Sequence, residues 1–128
     1  MAELTPLEER VLTMILRGED EIRFVLRQQM QQLQVSSREF TGAGFFSNFV
    51  VDPAARRITG RPTLTLGNVE GTATNVSHGL GFVLFVKDGA LSMLEGYTYD
   101  EPWPDELPGL KLSYSTQQEP PPDLEKRI

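Results

Sequence analysis

LGFVLFVKDGALSMLEGYTYD, residues 80–100, reads as two long strands joined by a tight turn at Asp88-Gly89. An Asp-Gly pair between alternating apolar runs marks a hairpin, because a type I′ turn needs positive φ at both central residues. The register then follows. Lys87 faces Ala90, Val86 faces Leu91, Leu84 faces Met93, Phe82 faces Glu95 and Leu80 faces Tyr97. Paired residues share a sheet face. The expected core face therefore carries Leu80, Phe82, Leu84, Val86, Leu91, Met93, Tyr97 and Tyr99. The other face is mixed and holds Val83, Phe85, Lys87, Ser92 and Leu94. Glu95 is the misfit, since it falls on the apolar face and a buried unpaired carboxylate is costly. A bulge near Glu95-Gly96 that turns the side chain outward resolves this most simply. An edge position, an arginine partner or a catalytic acid would also do so.

Upstream, Thr5-Pro6-Leu7-Glu8 combines an N-cap, a proline at the first helical position and the glutamate of a capping box. Leu7, Val11, Met14 and Ile15 line one face of that helix, and Gly18 ends it. A second helix starts in the acidic Glu19-Asp20-Glu21 and turns Ile22, Val25, Leu26, Met30 and Leu33 inward, with its glutamines solvated. REFTGAGFFSNFVV, residues 38–51, has aromatics on both parities. That suits a central strand covered on both faces, or a bulge at Gly42-Ala43-Gly44. PTLTLGNV, residues 62–69, alternates as a half-buried strand, and residues 70–78 read as a strand end and loop. Leu110, Leu112 and Tyr114 alternate with polar residues in a last strand. Helices followed by strands define an α+β protein. Two N-terminal helices are expected to pack on a four- or five-stranded, mainly antiparallel sheet. Residues 1–116 are expected to form a single domain, and residues 117–128, rich in proline and charge, a flexible or loosely attached tail.

The chain has 128 residues, enough for one domain with a real core. Twelve Lys and Arg against 18 Asp and Glu give a net charge of −6, which argues against nucleic acid and suits a basic protein partner. Cysteine is absent, so disulfides, thiolate nucleophiles and cysteine-bound metals are excluded. No basic segment leads into an apolar one at the N-terminus, and no apolar run approaches the roughly 20 residues of a membrane span. A cytoplasmic location without membrane attachment is the expectation.

No familiar catalytic motif is present. His78 is the only histidine, and neither a nucleophile elbow nor a helical zinc spacing accompanies it. The glycines at 42 and 44 lack the Gly-Lys-Ser/Thr of a phosphate-binding loop. No cofactor is expected. Glu70, Glu95, Asp100 and Glu101 supply carboxylates near the sheet, but nothing in the sequence pairs them. The most distinctive segment is YTYDEPWPDE, residues 97–106. Tyr99 and Trp103 are residue types enriched at binding hot spots. The prolines restrict the loop before it binds. Asp100, Glu101, Asp105 and Glu106 would steer a basic partner. The same segment can instead fold Trp103 back to cap the core and leave the acids solvated.

On FTGAGFF (Phe40–Phe46) and GFVLFVKDGALSMLEGYTYDEPWP (Gly81–Pro104), the chain resembles a group of small bacterial proteins of uncharacterised function. The likeness takes in the helical N-terminus and runs to Tyr114. It implies no catalytic residue. In size and charge the chain is also similar to the immunity proteins of bacterial toxin systems, a likeness of type and not of motif. The leading expectation is a non-enzymatic cytoplasmic binding domain that meets a basic protein through Tyr99, Asp100, Glu101, Trp103, Asp105, Glu106 and the neighbouring strand edge. An alternative is a ligand site or enzyme pocket near Asn48, His78, Glu95 and Tyr97. A third reading is a homodimer formed through the mixed sheet face of Val83, Phe85 and Leu94.

Overall fold

The computed structural model describes residues 1–115. The tail expected from residue 117 lies outside the described residues. Helix α1 spans Pro6–Ile15 and α2 spans Glu21–Met30. Seven strands follow: β1 Gln34–Phe40, β2 Gly44–Val50, β3 Leu64–Leu66, β4 Val69–Thr72, β5 Leu80–Lys87, β6 Ala90–Thr98 and β7 Lys111–Tyr114. The fold is α+β as expected, with seven strands in place of four or five. They form one sheet in the order β1-β2-β6-β5-β4-β7, with β3 beside β4 along the same flank of β5. Every pairing of these strands is antiparallel.

Two sequence readings divide differently. Residues 38–51 are not one strand, because Gly42, at φ 84°, helps turn the chain into a hairpin of β1 and β2. Aromatics of both parities arise because two strands share the stretch. Likewise residues 62–72 hold two short strands, β3 and β4, broken at Gly67-Asn68.

The central hairpin turns at Asp88 (φ 53°) and Gly89 (φ 76°), as the Asp-Gly pair requires. Val86 faces Leu91, but Phe85 then faces Met93, so Ser92 is an extra residue on β6. The bulge lies at Ser92 and not at Glu95-Gly96. One extra residue moves every later side chain of β6 to the opposite face. Leu94 is therefore fully buried, whereas Met93, Glu95 and Tyr97 are half-buried on the other face. The core face is Leu80, Phe82, Leu84, Val86, Leu91 and Leu94, and the helices pack there through Val11, Leu12, Ile15, Val25 and Leu26. No described helix covers the opposite face. It carries Phe46 and Asn48 of β2, Met93, Glu95 and Tyr97 of β6, and Val83 and Phe85 of β5.

Helix α1 begins as read, with the full Thr5–Glu8 capping box. Helix α2 carries a correction. Gln29 is not solvated but 1% exposed. Its Nε2 donates to the carbonyls of Gly89 and Arg56 at 2.9 Å each, and its Oε1 accepts from Leu91 N at 2.9 Å. Burying the amide is tolerable because its nitrogen and its oxygen both find partners in place of water. Gln29 thereby fastens the helix layer to the turn of the central hairpin.

Candidate functional site

The segment after β6 crosses one end of the sheet as a fixed loop. Thr98 N and its hydroxyl both donate to Ala43 O, at 2.8 and 2.9 Å. Trp103 N donates to Gly42 O at 2.7 Å. The Trp103 ring meets Phe45 and Phe82 edge-on, at centroid distances of 5.1 and 6.5 Å. Phe45 can lie there because its cross-strand partner is Gly96, where a Cβ would come within 2.3 Å of the ring. Trp103 thus faces inward and caps the end of the core.

Glu101 also turns from solvent toward the protein. Its carboxylate accepts from Ser77 N at 3.0 Å and His78 N at 2.9 Å. These backbone bonds hold it below the usual carboxylate range, with a smaller contribution from His78. Pro108 O accepts from Thr74 N, and Glu106 O accepts from the Asn75 side chain, both at 3.0 Å. Residues 99–110 are therefore bound to the loop 73–79 on one side and to the β1–β2 turn on the other. Tyr99 (45% exposed), Asp100, Asp105 and Glu106 remain to face solvent.

Of the alternative set, Asn48, Glu95 and Tyr97 share the open sheet face, while His78 sits on the loop 73–79 and gives its backbone N–H to Glu101. The Tyr97 ring lies across Gly81 and edge-on to Tyr99 at 5.4 Å. Burial, then a hydrogen bond with Tyr99, pushes its hydroxyl well above the ordinary range. Burial also pushes Glu95 up. Among the described residues no cluster of three or more His, Cys, Asp or Glu could hold a metal, and no helix is long and apolar enough to cross a membrane.

One polar centre escaped the sequence reading. Glu8 is only 2% exposed. It accepts from Arg38 Nε at 3.0 Å and Arg38 Nη2 at 2.7 Å, from the Ser47 hydroxyl, and from Thr5 N at 2.8 Å. Burial raises its pKa, but the bonds from Arg38, Ser47 and Thr5, with the Arg38 charge, outweigh that and hold it below the usual carboxylate range. The capping box announces Glu8 as a helix residue. Nothing in the sequence links it to Arg38, thirty positions away. The pair underlies a cleft of about 270 Å³ between α1, the end of β1 and the loop, walled by Leu7, Phe40, Phe45, Trp103 and Leu107.

Comparison of the chain with family models, with curated proteins and with solved structures gives no match. The functional reading therefore rests on this geometry.

Proposed function

We propose that the protein is a non-enzymatic cytoplasmic binding domain whose acidic corner, formed by residues 99–107, engages a basic protein partner. One observation carries the reading: exposed Tyr99, Asp100, Asp105 and Glu106 stand on a backbone immobilised by Trp103 and Glu101. Charged groups held in place speed and orient encounter with a basic surface, and a fixed loop loses little entropy when it binds. An immunity-like role, with a basic toxin as the partner, fits the size and charge of the chain.

The test reverses only the outward charges. Asp100→Lys, Asp105→Lys and Glu106→Lys leave the Trp103 and Glu101 anchors untouched. Capture from a host lysate that falls at high salt, and is lost in this triple variant, supports the reading. Capture indifferent to both contradicts it.

A second reading has its own observation. The open sheet face holds half-buried Phe46, Val83, Phe85 and Met93 with no described helix over them. Leu94, expected there, is in the core. Apolar surface of this kind suits a homodimer. Concentration-dependent mass abolished by Phe85→Ser would favour it.

A further inference from the structure

We propose that the partner enters the acidic corner as an extended segment, pairing with the free edge of β1 and seating one bulky apolar side chain in the cleft beside Trp103. This deepens the reading above and rests on it. Three observations meet at one place. First, β1 ends the sheet, and its outer side is occupied among the described residues only at Val35, which exchanges bonds of 2.9 and 2.8 Å with Ala2. Thr41 N bonds inward to Gly44 O, so the alternation of an antiparallel ladder directs the backbone groups of Arg38 and Phe40 outward. Unpaired strand edges of this kind accept an added strand.

Second, the cleft opens on the helix side of that same edge. Phe40 pairs with buried Phe45 and so stands on the core face, yet it is 75% exposed because α1 does not reach over it. An added strand places alternate side chains on that face. The volume of about 270 Å³ falls just below the range of pockets for small ligands, ~300 to ~1,000 Å³, and suits a side chain better than a cofactor.

Third, the charge is one-sided. The Arg38 guanidinium is committed to Glu8 and to Glu3 O. Asp105 on the rim and Glu39 on the strand form no ion pair among the described residues and are exposed. The occupant that fits carries Lys or Arg beside a Leu, Ile, Met or Phe.

Trp103 is the only tryptophan and walls the cleft, so its emission reports occupancy. The probe is a panel of capped heptapeptides with Leu, Ile, Met or Phe at the centre and Lys-Thr repeats on both sides. The expected result is a saturable change in emission with at least one member. Binding should weaken by roughly 15- to 60-fold when the central residue becomes Ala, since two or three buried CH₂ groups are lost. It should weaken similarly with N-methylated backbone amides, or in Phe40→Ala, which keeps its fold because Phe40 is exposed. No emission change across the panel, or affinity indifferent to N-methylation, overturns strand addition. Salt-sensitive capture that persists in wild type while the panel fails leaves the acidic-corner reading standing without this inference. Self-association that is lost in Phe40→Ala would make a second copy the occupant and overturn the basic-partner assignment.

Discussion

The acidic corner and the open sheet face both display aromatic rings and carboxylates, but they hold them differently. At the corner, Glu101 is bonded to two backbone amides and Trp103 is packed against Phe45 and Phe82. Beneath, Glu8 is enclosed by donors from Arg38, Ser47 and Thr5. On the open face, burial alone acts on Glu95 and raises its pKa. The difference separates a finished surface from an unfinished one. At the corner the inward residues are satisfied, and the outward acids stand exposed on a fixed backbone. The face offers apolar area, but its carboxylate is poorly solvated and uncompensated.

The sharpest way to break the contrast is to remove the floor of the corner. Arg38→Ala leaves Glu8 buried without its cation and should cost about 4 kcal/mol at pH 7, read by urea unfolding. The linkage has a definite sign. Glu8 is held below the usual carboxylate range in the folded state, so its stabilisation is complete above that range and is lost as pH falls through the lowered folded value. The gap between wild type and variant should close on acidification. Trp103→Ala comes next. It empties the cap of the core and should cost about 3 kcal/mol, near the low end for a large aromatic because the ring is partly exposed.

Glu101→Gln is a milder test. It weakens two charge-assisted bonds and should speed amide exchange at Ser77 and His78 severalfold while leaving the β5–β6 core amides protected. In the wild type this protection should fade as pH drops below the usual carboxylate range, because the folded pKa of Glu101 is lowered. The smallest effect belongs to the open face, and its sign is opposite. Glu95 has a raised folded pKa, so its penalty is absent well below pH 4.5 and grows as pH rises through the folded value. Glu95→Gln should therefore raise the melting temperature slightly at pH 7 and leave it unchanged near pH 3. A drop at pH 7 would mean that the carboxylate has a partner and the face is more finished than described.

Local signals in the sequence survived into the fold wherever one short segment carried them. Asp88-Gly89 specified its turn, and Thr5–Glu8 specified the start of α1, because both act within four residues. The bulge at Ser92 had no local mark. Its only trace was Glu95, stranded on the apolar face of the uninterrupted register, and that anomaly pointed to a bulge three positions too far along. Gln29 and Glu8 were missed for another reason. A polar residue on a helix looks solvated until the partners that satisfy it, Gly89 and Leu91 or Arg38 and Ser47, are brought up by chain folding. At the corner the sequence singled out the segment and offered an inward Trp103 as one of two readings, but it gave no sign that Glu101 turns inward as well. Trp103 and Glu101, its most conspicuous members, face the protein, while Tyr99, Asp100, Asp105 and Glu106 face solvent.

The most direct measurement sets the two surfaces against each other in one capture experiment. Wild type, the triple variant Asp100→Lys, Asp105→Lys and Glu106→Lys, and the open-face variant Phe85→Ser would be compared in host lysate at ~50 mM and ~300 mM salt, a range over which screening of exposed charges deepens markedly. The account predicts a partner held by wild type and by Phe85→Ser at low salt, released at high salt, and absent from the triple variant. A partner kept by the triple variant and lost with Phe85→Ser would contradict it and move the binding surface to the open face of the sheet.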